Sequence, residues 1–484
     1  MPQHQVSALR IGRQALKDWL IPVLAGAAAG LSLTPWGLPP LLWLALVPLW
    51  SVGPRQAALW GGVAVLVSHG WLLWLHPLTW LGVPAPLSLP LVLLILLVCS
   101  ALGAGLVALW SLVVQRLDRR RWDTALLAAA LWALAEQGLA TGPLFWVGLA
   151  VAPLPHDRPL AGLAALGGGG LVTLVQLLLS WLLARRRWPA LLLVLLLGHG
   201  LGAAALALAD GADPGAPLQV LAVQPGQATR RKFEPDSQRR LQDLLQRARL
   251  RAAALTPSPP LLLPEGTLPL DDRPAREPAV PLLGGGFRRQ DGGERSSVLW
   301  LPAGADRPRA WVDKHRLVPL GEWVPLADRI PWEGLSAVGG LQPGPADRRL
   351  PLPWPAGDAA VAICYELADG RALARAVDAG AGWLLAVANL DPYPPLLQHQ
   401  FLNLARLRAI ETGRWLVSVA NTGPTAVVDP AGRVVQQLPA GGPQLGLLDL
   451  RGRRSLSPYD RWGNGPLLLL SAGVAALAAR SHQA

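Results

Sequence analysis

Residues 359–366 read Ala-Ala-Val-Ala-Ile-Cys-Tyr-Glu, a run of five apolar residues that ends in a cysteine and a carboxylate. A short apolar run of this kind is typical of a strand buried on both faces. Two similar runs end close to Glu265 and Lys314. Because the carboxyl ends of strands converge on the site in layered α/β folds, the sequence predicts that Glu265, Lys314 and Cys364 lie close together.

The surrounding sequence continues this α/β pattern. Helix-type stretches at 236–255 and 396–412 alternate with short β-type runs, and the segment 331–357 is rich in Pro and Gly, as expected of a loop or lid over the site. The further β-type runs lie at 218–223, 261–263, 298–301, 383–387, 416–420 and 425–428. We therefore expect one α/β domain over residues 217–450.

The N-terminal part of the chain has the composition of a membrane protein. Hydrophobic residues make up 52% of the chain and charged residues 15%, and the mean hydropathy is +0.34. We expect an N-terminal transmembrane bundle of about seven helices over residues 1–210, with the first helix retained, and a C-terminal helix over 465–484. The apolar runs lie at 19–34, 38–53, 57–75, 88–114, 124–140, 162–184, 188–209 and 465–480.

The basic residues indicate how these helices are oriented. The net charge is +12, but the basic residues form neither a single stripe nor a nucleic-acid motif, which argues against nucleic-acid binding. They cluster in alternate loops, at 10–17, at Arg55, at 116–121 and at 185–187. The positive-inside rule puts these loops in the cytoplasm and the block 217–450 on the outer side of the membrane.

Lysine is scarce, which draws attention to Lys314. Lys and Arg together number 43, but only Lys17, Lys232 and Lys314 are lysines. An ammonium beside a thiol can lower the thiol pKa and stabilise an oxyanion, and a carboxylate can act as the base, so Cys364, Glu265 and Lys314 form a plausible nucleophile, base and oxyanion-binding set. A helix predicted from about 368 to 378 would add its positive end near the sulfur.

Each of these residues also has an ordinary structural interpretation. Cys364 could be a small buried hydrophobe, Glu265 a solvated strand end and Lys314 a surface charge. Cys99 lies in an apolar run and is expected to be buried, so the two cysteines do not form a disulfide framework. The histidines lack the spacing of metal ligands, and no metal or cofactor is expected.

Several motifs resemble a known family. The order Glu, Lys, Cys resembles the nitrilase superfamily of carbon–nitrogen hydrolases, and residues 313–325 are similar to the signature of its apolipoprotein N-acyltransferase family. The resemblance extends to residues 35–37, 160–168, 362–366, 405–414 and 421–423. It implies an αββα sandwich joined to a polytopic helical membrane domain of about eight helices.

The resemblance also implies a ping-pong reaction. Cys364 would accept an acyl chain from a membrane phospholipid, with phosphatidylethanolamine as the expected donor, and pass it to the α-amino group of the diacylglyceryl cysteine of an apolipoprotein. It implies a monomer in the bacterial inner membrane with its catalytic domain on the periplasmic side. Supporting roles are expected for Glu322, Glu366 and Tyr365, with Glu322 as the partner carboxylate of Glu366, and substrate-binding roles for Asn389, Tyr393, Trp323 and Trp146.

The chain departs from the family pattern in places. Residues 389–393 read Asn-Leu-Asp-Pro-Tyr where the family has Asn-Asp-Ala-Trp-Phe, and Phe401, Phe233 and Ser296 replace a family His, Trp and Asn. Two alternatives therefore stay open: a membrane-tethered nitrilase-type amidase, and a weakly active paralogue that binds lipoproteins or lipids.

Overall fold

The structure is a computed structural model that describes residues 3–33, 37–211, 215–268, 279–319, 321–323, 340–391 and 393–481. Parts of several expectations lie outside these ranges: residues 35–36 of one family motif, residues 320 and 324–325 of the motif at 313–325, residues 331–339 of the expected lid, Pro392 in the altered loop, and residues 482–484 of the expected C-terminal helix.

The C-terminal half forms two facing six-stranded mixed sheets, with strand orders β12-β1-β2-β3-β4-β5 and β11-β10-β9-β8-β7-β6. This confirms the predicted α/β layering. The strands are β1 Ala216–Gln224, β2 Leu261–Leu263, β3 Leu282–Gln290, β4 Gly293–Leu301, β5 Ala310–Asp313, β6 Arg349–Leu350, β7 Ala359–Ile363, β8 Trp383–Ala388, β9 Leu416–Ala420, β10 Ala426–Val428, β11 Val434–Gln437 and β12 Gln444–Gly452.

The apolar strands are buried on both faces, and their side chains alternate between two cores. In β1, Val220 and Ala222 point into the core between the sheets, whereas Leu221 and Val223 pack beneath α9 (Pro235–Ala253). The second sheet is covered by α10 (Gly370–Asp378) and α11 (Pro395–Thr412). The layers are therefore helix, sheet, sheet, helix, as the period-two pattern requires.

Two predicted segments differ in detail. The helix expected from about 368 begins at Gly370, because Asp369 caps it by accepting a hydrogen bond from the Ala372 N–H, and a 3₁₀-helix (Cys364–Ala368) precedes it. The described part of the expected lid, 340–357, contains β6, which pairs with β7.

The N-terminal half is a bundle of apolar helices. Three described helices, α4 (Ala85–Gln115), α7 (Ala164–Ala184) and α8 (Trp188–Gly211), are long and apolar enough to cross a membrane. This number is smaller than the eight membrane helices expected from the sequence. The run 38–53 is divided into α2 and a 3₁₀-helix (Val47–Trp50), and the run 57–75 into α3 and a 3₁₀-helix (Gly70–Leu75). The helices are α1 Gln3–Ser32, α2 Pro39–Leu46, α3 Pro54–Ser68, α4 Ala85–Gln115, α5 Trp122–Ala140, α6 Arg158–Ala161, α7 Ala164–Ala184 and α8 Trp188–Gly211, with α12 Pro458–Trp462 and α13 Gly465–Ser481 after the sheets.

Helix α11 joins the sandwich to the bundle. Gln400 Nε2 donates to the Leu33 carbonyl at 3.2 Å, and the Phe401 ring stacks on Phe145 with centroids 5.5 Å apart. Phe401 occupies the position where the family has a histidine, so an aromatic stack fills this part of the boundary between the two halves.

A kink in α7 lies at the same boundary. Gly168 has φ +67° and ψ −175°, a conformation that is essentially restricted to glycine, and the Tyr459 ring packs directly against it. The kink frees the Gly169 N–H, which donates to Glu411 Oε1 at 2.8 Å. Gly168 therefore allows the bundle to hydrogen-bond to α11.

We expect Gly168→Ala to destabilise the protein by about 2–5 kcal/mol, because the new methyl group collides with Tyr459 and the backbone becomes strained. Thermal unfolding in detergent would measure this as a lower Tm. The matched control is Gly105→Ala in α4, where a methyl group meets only open space and improves helix propensity. Equal Tm values for both variants would contradict the structural role of Gly168.

Candidate active site

The structure brings the three predicted residues into one cluster at the carboxyl ends of their strands. Glu265 follows β2 and Lys314 follows β5 in the first sheet, and Cys364 follows β7 in the second. Lys314 Nζ donates to Glu265 Oε1 at 2.8 Å. The charges of Glu265 and Lys314 both act on the Cys364 thiol, so all three groups share one electrostatic environment.

Lys314 lies between two carboxylates. Its side chain is 1% exposed, and its second acceptor is Glu322 Oε1 at 2.6 Å. Burial lowers the pKa of Lys314, but Glu265 and Glu322 outweigh this and raise the pKa well above its ordinary value. Lys314 is therefore a permanent cation, suited to stabilise negative charge and unsuited to act as a base.

Cys364 stands on a strained turn. Its φ of +56° is unusual for a residue with a side chain, and such strain gathers at functional sites. Desolvation raises the thiol pKa well above its ordinary value; Glu265 and Glu322 raise it further, whereas Lys314 lowers it. The expectation that an ammonium lowers the thiol pKa holds for the contribution of Lys314, but desolvation and the two carboxylates outweigh that contribution. A base must therefore remove the thiol proton.

Glu366 ties the nucleophile turn to the lysine loop. Its buried carboxylate accepts hydrogen bonds from the backbone N–H groups of Ile363 at 3.0 Å and His315 at 2.8 Å, and from the Arg348 guanidinium at 3.0 Å. The ion-pair partner of Glu366 is thus Arg348, whereas Glu322, the second carboxylate expected to support the cluster, binds Lys314. Sequence reasoning missed Arg348 because it lies in the segment interpreted as a lid.

Tyr365 and Arg316 connect this turn to the bundle. The Tyr365 hydroxyl donates to the Leu317 carbonyl at 2.9 Å, and the Arg316 guanidinium lies 4.7 Å from the Tyr365 ring centroid. Arg316 also donates to the carbonyls of Ala140, at 2.7 Å, and Gly142, at the C-terminal end of α5. Tyr365, the residue after Cys364, therefore packs against Arg316, whose side chain is hydrogen-bonded to the C-terminal end of the bundle helix α5.

Asn389 holds the carboxylate of Glu265. Its backbone N–H donates to Glu265 Oε2 at 3.2 Å, opposite the oxygen that Lys314 binds. Its side chain donates to Thr229 Oγ1 at 2.9 Å and accepts from Asn421 Nδ2 at 2.8 Å. Asn389 was expected to bind substrate. In the structure, its backbone N–H binds the Glu265 carboxylate and so helps to orient it.

An aromatic path leads from the cluster into the bundle. The Tyr393 ring is 5.4 Å from Trp71, Trp71 is 6.2 Å from His69, and His69 is 5.8 Å from Trp146. Desolvation raises the pKa of Tyr393, and the Cys364 charge raises it further, which places Tyr393 at the cluster end of the path. Tyr393 and Trp146 were expected to bind substrate, and that role stays a prediction; Trp71 and His69, which lie between them, were not singled out in the sequence.

Trp146 and His69 line an apolar cavity of about 270 Å³ between the helices of the bundle. Its other walls include Trp60, Val107 and Trp132. The last predicted substrate-binding residue, Trp323, is 46% exposed and lies away from the cavity wall, next to Glu322. Among the described residues, no group of three or more His, Cys, Asp or Glu side chains could hold a metal ion.

Comparison with known proteins agrees with both halves of this arrangement. Residues 25–182 match the profile of the apolipoprotein N-acyltransferase N-terminal domain, and residues 312–452 match that of the carbon–nitrogen hydrolases. Among solved structures, an amidase from Nesterenkonia sp. is 19% identical, with a TM-score of 0.35 over 50% of this chain and 93% of that one.

Curated relatives match over most of the chain. The apolipoprotein N-acyltransferase of Prochlorococcus marinus (strain MIT 9313) is 50% identical over 92% of each chain. That of Parasynechococcus marenigrum (strain WH8102) is 49% identical over 91% of this chain and 96% of the relative. With a matching membrane half, a matching hydrolase half and this degree of identity, the chain belongs to the apolipoprotein N-acyltransferase family.

Proposed function

We propose that this protein transfers an acyl chain from a membrane phospholipid to the α-amino group of the diacylglyceryl cysteine of apolipoproteins, through a thioester on Cys364. The observation that carries this is the Glu265–Lys314 ion pair beside a thiol on a strained turn, in a chain that belongs to the acyltransferase family.

In the first half-reaction, Glu265 takes the proton of the Cys364 thiol as the sulfur attacks the ester carbonyl of the donor. The C–S bond forms and the carbonyl oxygen becomes an oxyanion. Among the described residues, Lys314 Nζ has two acceptors, Glu265 and Glu322, so its third N–H is available to the oxyanion. Collapse breaks the ester C–O bond, and Glu265 returns its proton to the leaving lysophospholipid.

In the second half-reaction, the α-amino group of the acceptor attacks the thioester carbonyl. Glu265 takes a proton from the amine, Lys314 again stabilises the oxyanion, and the C–S bond breaks to form the amide. The proton on Glu265 returns to the sulfur, which restores the thiol. One base therefore serves both half-reactions because its carboxylate is held at both oxygens, by Lys314 and by the Asn389 N–H.

The bundle supports lipid substrates. Its cavity is walled mainly by apolar side chains and shares Trp146 and His69 with the aromatic path to the cluster. An acyl chain bound there gains hydrophobic stabilisation of about 0.8 kcal/mol for each buried methylene group. We propose that Trp146 and Tyr393 contact the lipid, that phosphatidylethanolamine is a donor, and that the enzyme acts as a monomer.

The chain is a membrane protein, and we propose the finer topology as follows. Residues 1–210 form the N-terminal transmembrane bundle, 217–450 the catalytic domain and 465–484 a C-terminal transmembrane helix, with about eight crossings in total. The arginine-rich loops at 116–121 and 185–187 favour a cytoplasmic side for those loops. The catalytic domain then lies on the periplasmic side of the bacterial inner membrane.

Intact mass after incubation with phosphatidylethanolamine tests the proposed reaction. We expect a hydroxylamine-sensitive gain of one acyl chain in the wild-type protein and none in Cys364→Ala, while the matched control Cys99→Ala behaves as wild type. A diacylated lipopeptide should then discharge the adduct. Free fatty acid released without the lipopeptide would favour the amidase, and a folded wild-type protein without any adduct would sink the mechanism.

The electrostatics of the cluster predict how Cys364 reacts with iodoacetamide. Because its thiol pKa is raised, we expect slow alkylation at neutral pH and faster alkylation as the pH increases. Glu322→Gln removes a negative charge that raises this pKa, so its alkylation profile should move to lower pH. Peptide mass spectrometry measures the rates. The control Glu234→Gln alters an exposed carboxylate on another element and should leave the profile unchanged.

Cysteine labelling in spheroplasts tests the topology. In a background without Cys99 and Cys364, we expect a membrane-impermeant maleimide to label Ala440→Cys, an exposed position of the catalytic domain. The matched variant Arg120→Cys, exposed in a basic loop of the bundle, should be labelled only after lysis. The reverse pattern would place the catalytic domain in the cytoplasm.

A further inference from the structure

Lys232, like Lys314, lies at the catalytic cluster. It follows β1 and the 3₁₀-helix Thr229–Arg231. Its Nζ donates to the carbonyl of Gly266, the residue after Glu265. Two of the three lysines in an arginine-rich chain thus lie beside the same carboxylate.

Both the backbone and the ammonium of Lys232 are held in place. Gln227 Nε2, at 3.3 Å, and Gln238 Nε2, at 2.6 Å, both donate to the Lys232 carbonyl and fix its backbone. Gly266 has φ +64°, and a Cβ there would lie 3.4 Å from Nζ, so the turn after Glu265 fits closely around the lysine. The neighbouring Arg231 is exposed and pairs with Glu234, whereas Lys232 is half-buried and faces the cluster.

Charge balance explains why a second cation is needed. The cluster holds two carboxylates, Glu265 and Glu322, but Lys314 can offset only one of them. When both carboxylates are charged, these three groups carry a net charge of −1, which a second ammonium nearby offsets. Cys364, Tyr365 and Tyr393 also face the cluster and are neutral at neutral pH. Near them, Glu366 is paired with Arg348, and the Arg316 guanidinium lies over the Tyr365 ring and binds carbonyls at the end of α5.

We propose that Lys232 is a positioning residue for acyl transfer: it holds the Glu265–Gly266 turn through the Gly266 carbonyl and supplies the second positive charge that keeps the carboxylate pair ionised. This inference rests on the proposed function. Lys232 forms no bond with the substrate in this role; it acts through Glu265. Desolvation lowers the pKa of Lys232 below its ordinary value, and the charge of Glu265 offsets part of this, which agrees with an ammonium close to that carboxylate.

Three substitutions separate charge from hydrogen bonding. Lys232→Arg keeps the charge, Lys232→Gln keeps a donor for the Gly266 carbonyl without the charge, and Lys232→Met keeps neither. The control is Arg239→Met, which removes an exposed cation that pairs with Asp236 on α9. The rate of thioester formation from phosphatidylethanolamine is measured from about pH 5 to about pH 9.

We expect the acid limb of the rate profile to move up by about one pH unit in Lys232→Gln and Lys232→Met, with roughly a tenfold loss of rate on that limb. The sign follows because removing a positive charge favours the protonated carboxylate pair, so the base form appears only at higher pH. Lys232→Arg and Arg239→Met should keep the limb in place. A uniform loss of rate in all three Lys232 variants, with an unmoved limb, would overturn the proposal and leave a structural role only.

Alkylation of Cys364 gives a second readout that needs no acyl transfer. Loss of the Lys232 charge should move the alkylation profile to higher pH in Lys232→Gln but leave it in place in Lys232→Arg. If wild-type protein forms no thioester, the proposed function fails, but this profile still decides whether Lys232 sets the charge of the cluster. Identical profiles for Lys232→Gln and wild type would refute that role.

Discussion

The site depends on a buried ammonium that two carboxylates share. Lys314 binds Glu265 and Glu322, and removing one partner from a buried ion pair typically costs about 3–5 kcal/mol, because a charge is left unpaired. The pairing joins the end of β2, the end of β5 and the loop that carries Glu322. It fixes the proposed base and the proposed oxyanion-binding group together before any substrate arrives, and such preorganisation is what electrostatic catalysis requires.

The proposed nucleophile, Cys364, comes from the other sheet, so the two sheets must be held in a fixed relative position. Glu366 does this by accepting hydrogen bonds from Ile363, next to Cys364, and from His315, next to Lys314. Arg316 extends the same network to the C-terminal end of α5. A displacement of the bundle relative to the sandwich is therefore transmitted to the residues that flank both catalytic groups.

The sequence contained enough information to predict the layered fold and the convergence of the three residues, but not every strand, since β3, β6, β11 and β12 had no predicted counterpart. The bounds of β7 and β9 were predicted correctly, because strands buried on both faces are continuous apolar runs that end abruptly. Breaks in the apolar helices were missed, although Pro48 marks the end of α2 as a residue that cannot continue a helix.

Features that depend on distant contacts could not be predicted. The direction of the Cys364 pKa shift depends on desolvation and on Glu322, which hydropathy and spacing do not reveal. Arg348 was missed because it lies in a segment whose composition is typical of a loop, and nothing in that segment indicates that Arg348 pairs with Glu366. Trp71 and His69 were missed because an aromatic residue in an apolar helix has the same pattern whether it packs in a core or lines a path.

The aromatic path beside Cys364 also affects how long an intermediate can persist. A ping-pong enzyme must release its first product before the second substrate enters, so the acyl group waits on the sulfur in between. Tyr393 and Trp71 provide large apolar surfaces at the cluster end of this path, and Trp146 lies at its far end, in the wall of the apolar cavity. In the proposed reaction, the apolar walls that would hold a lipid chain would also limit the access of water to the thioester, and so extend the lifetime of the loaded enzyme until an acceptor arrives.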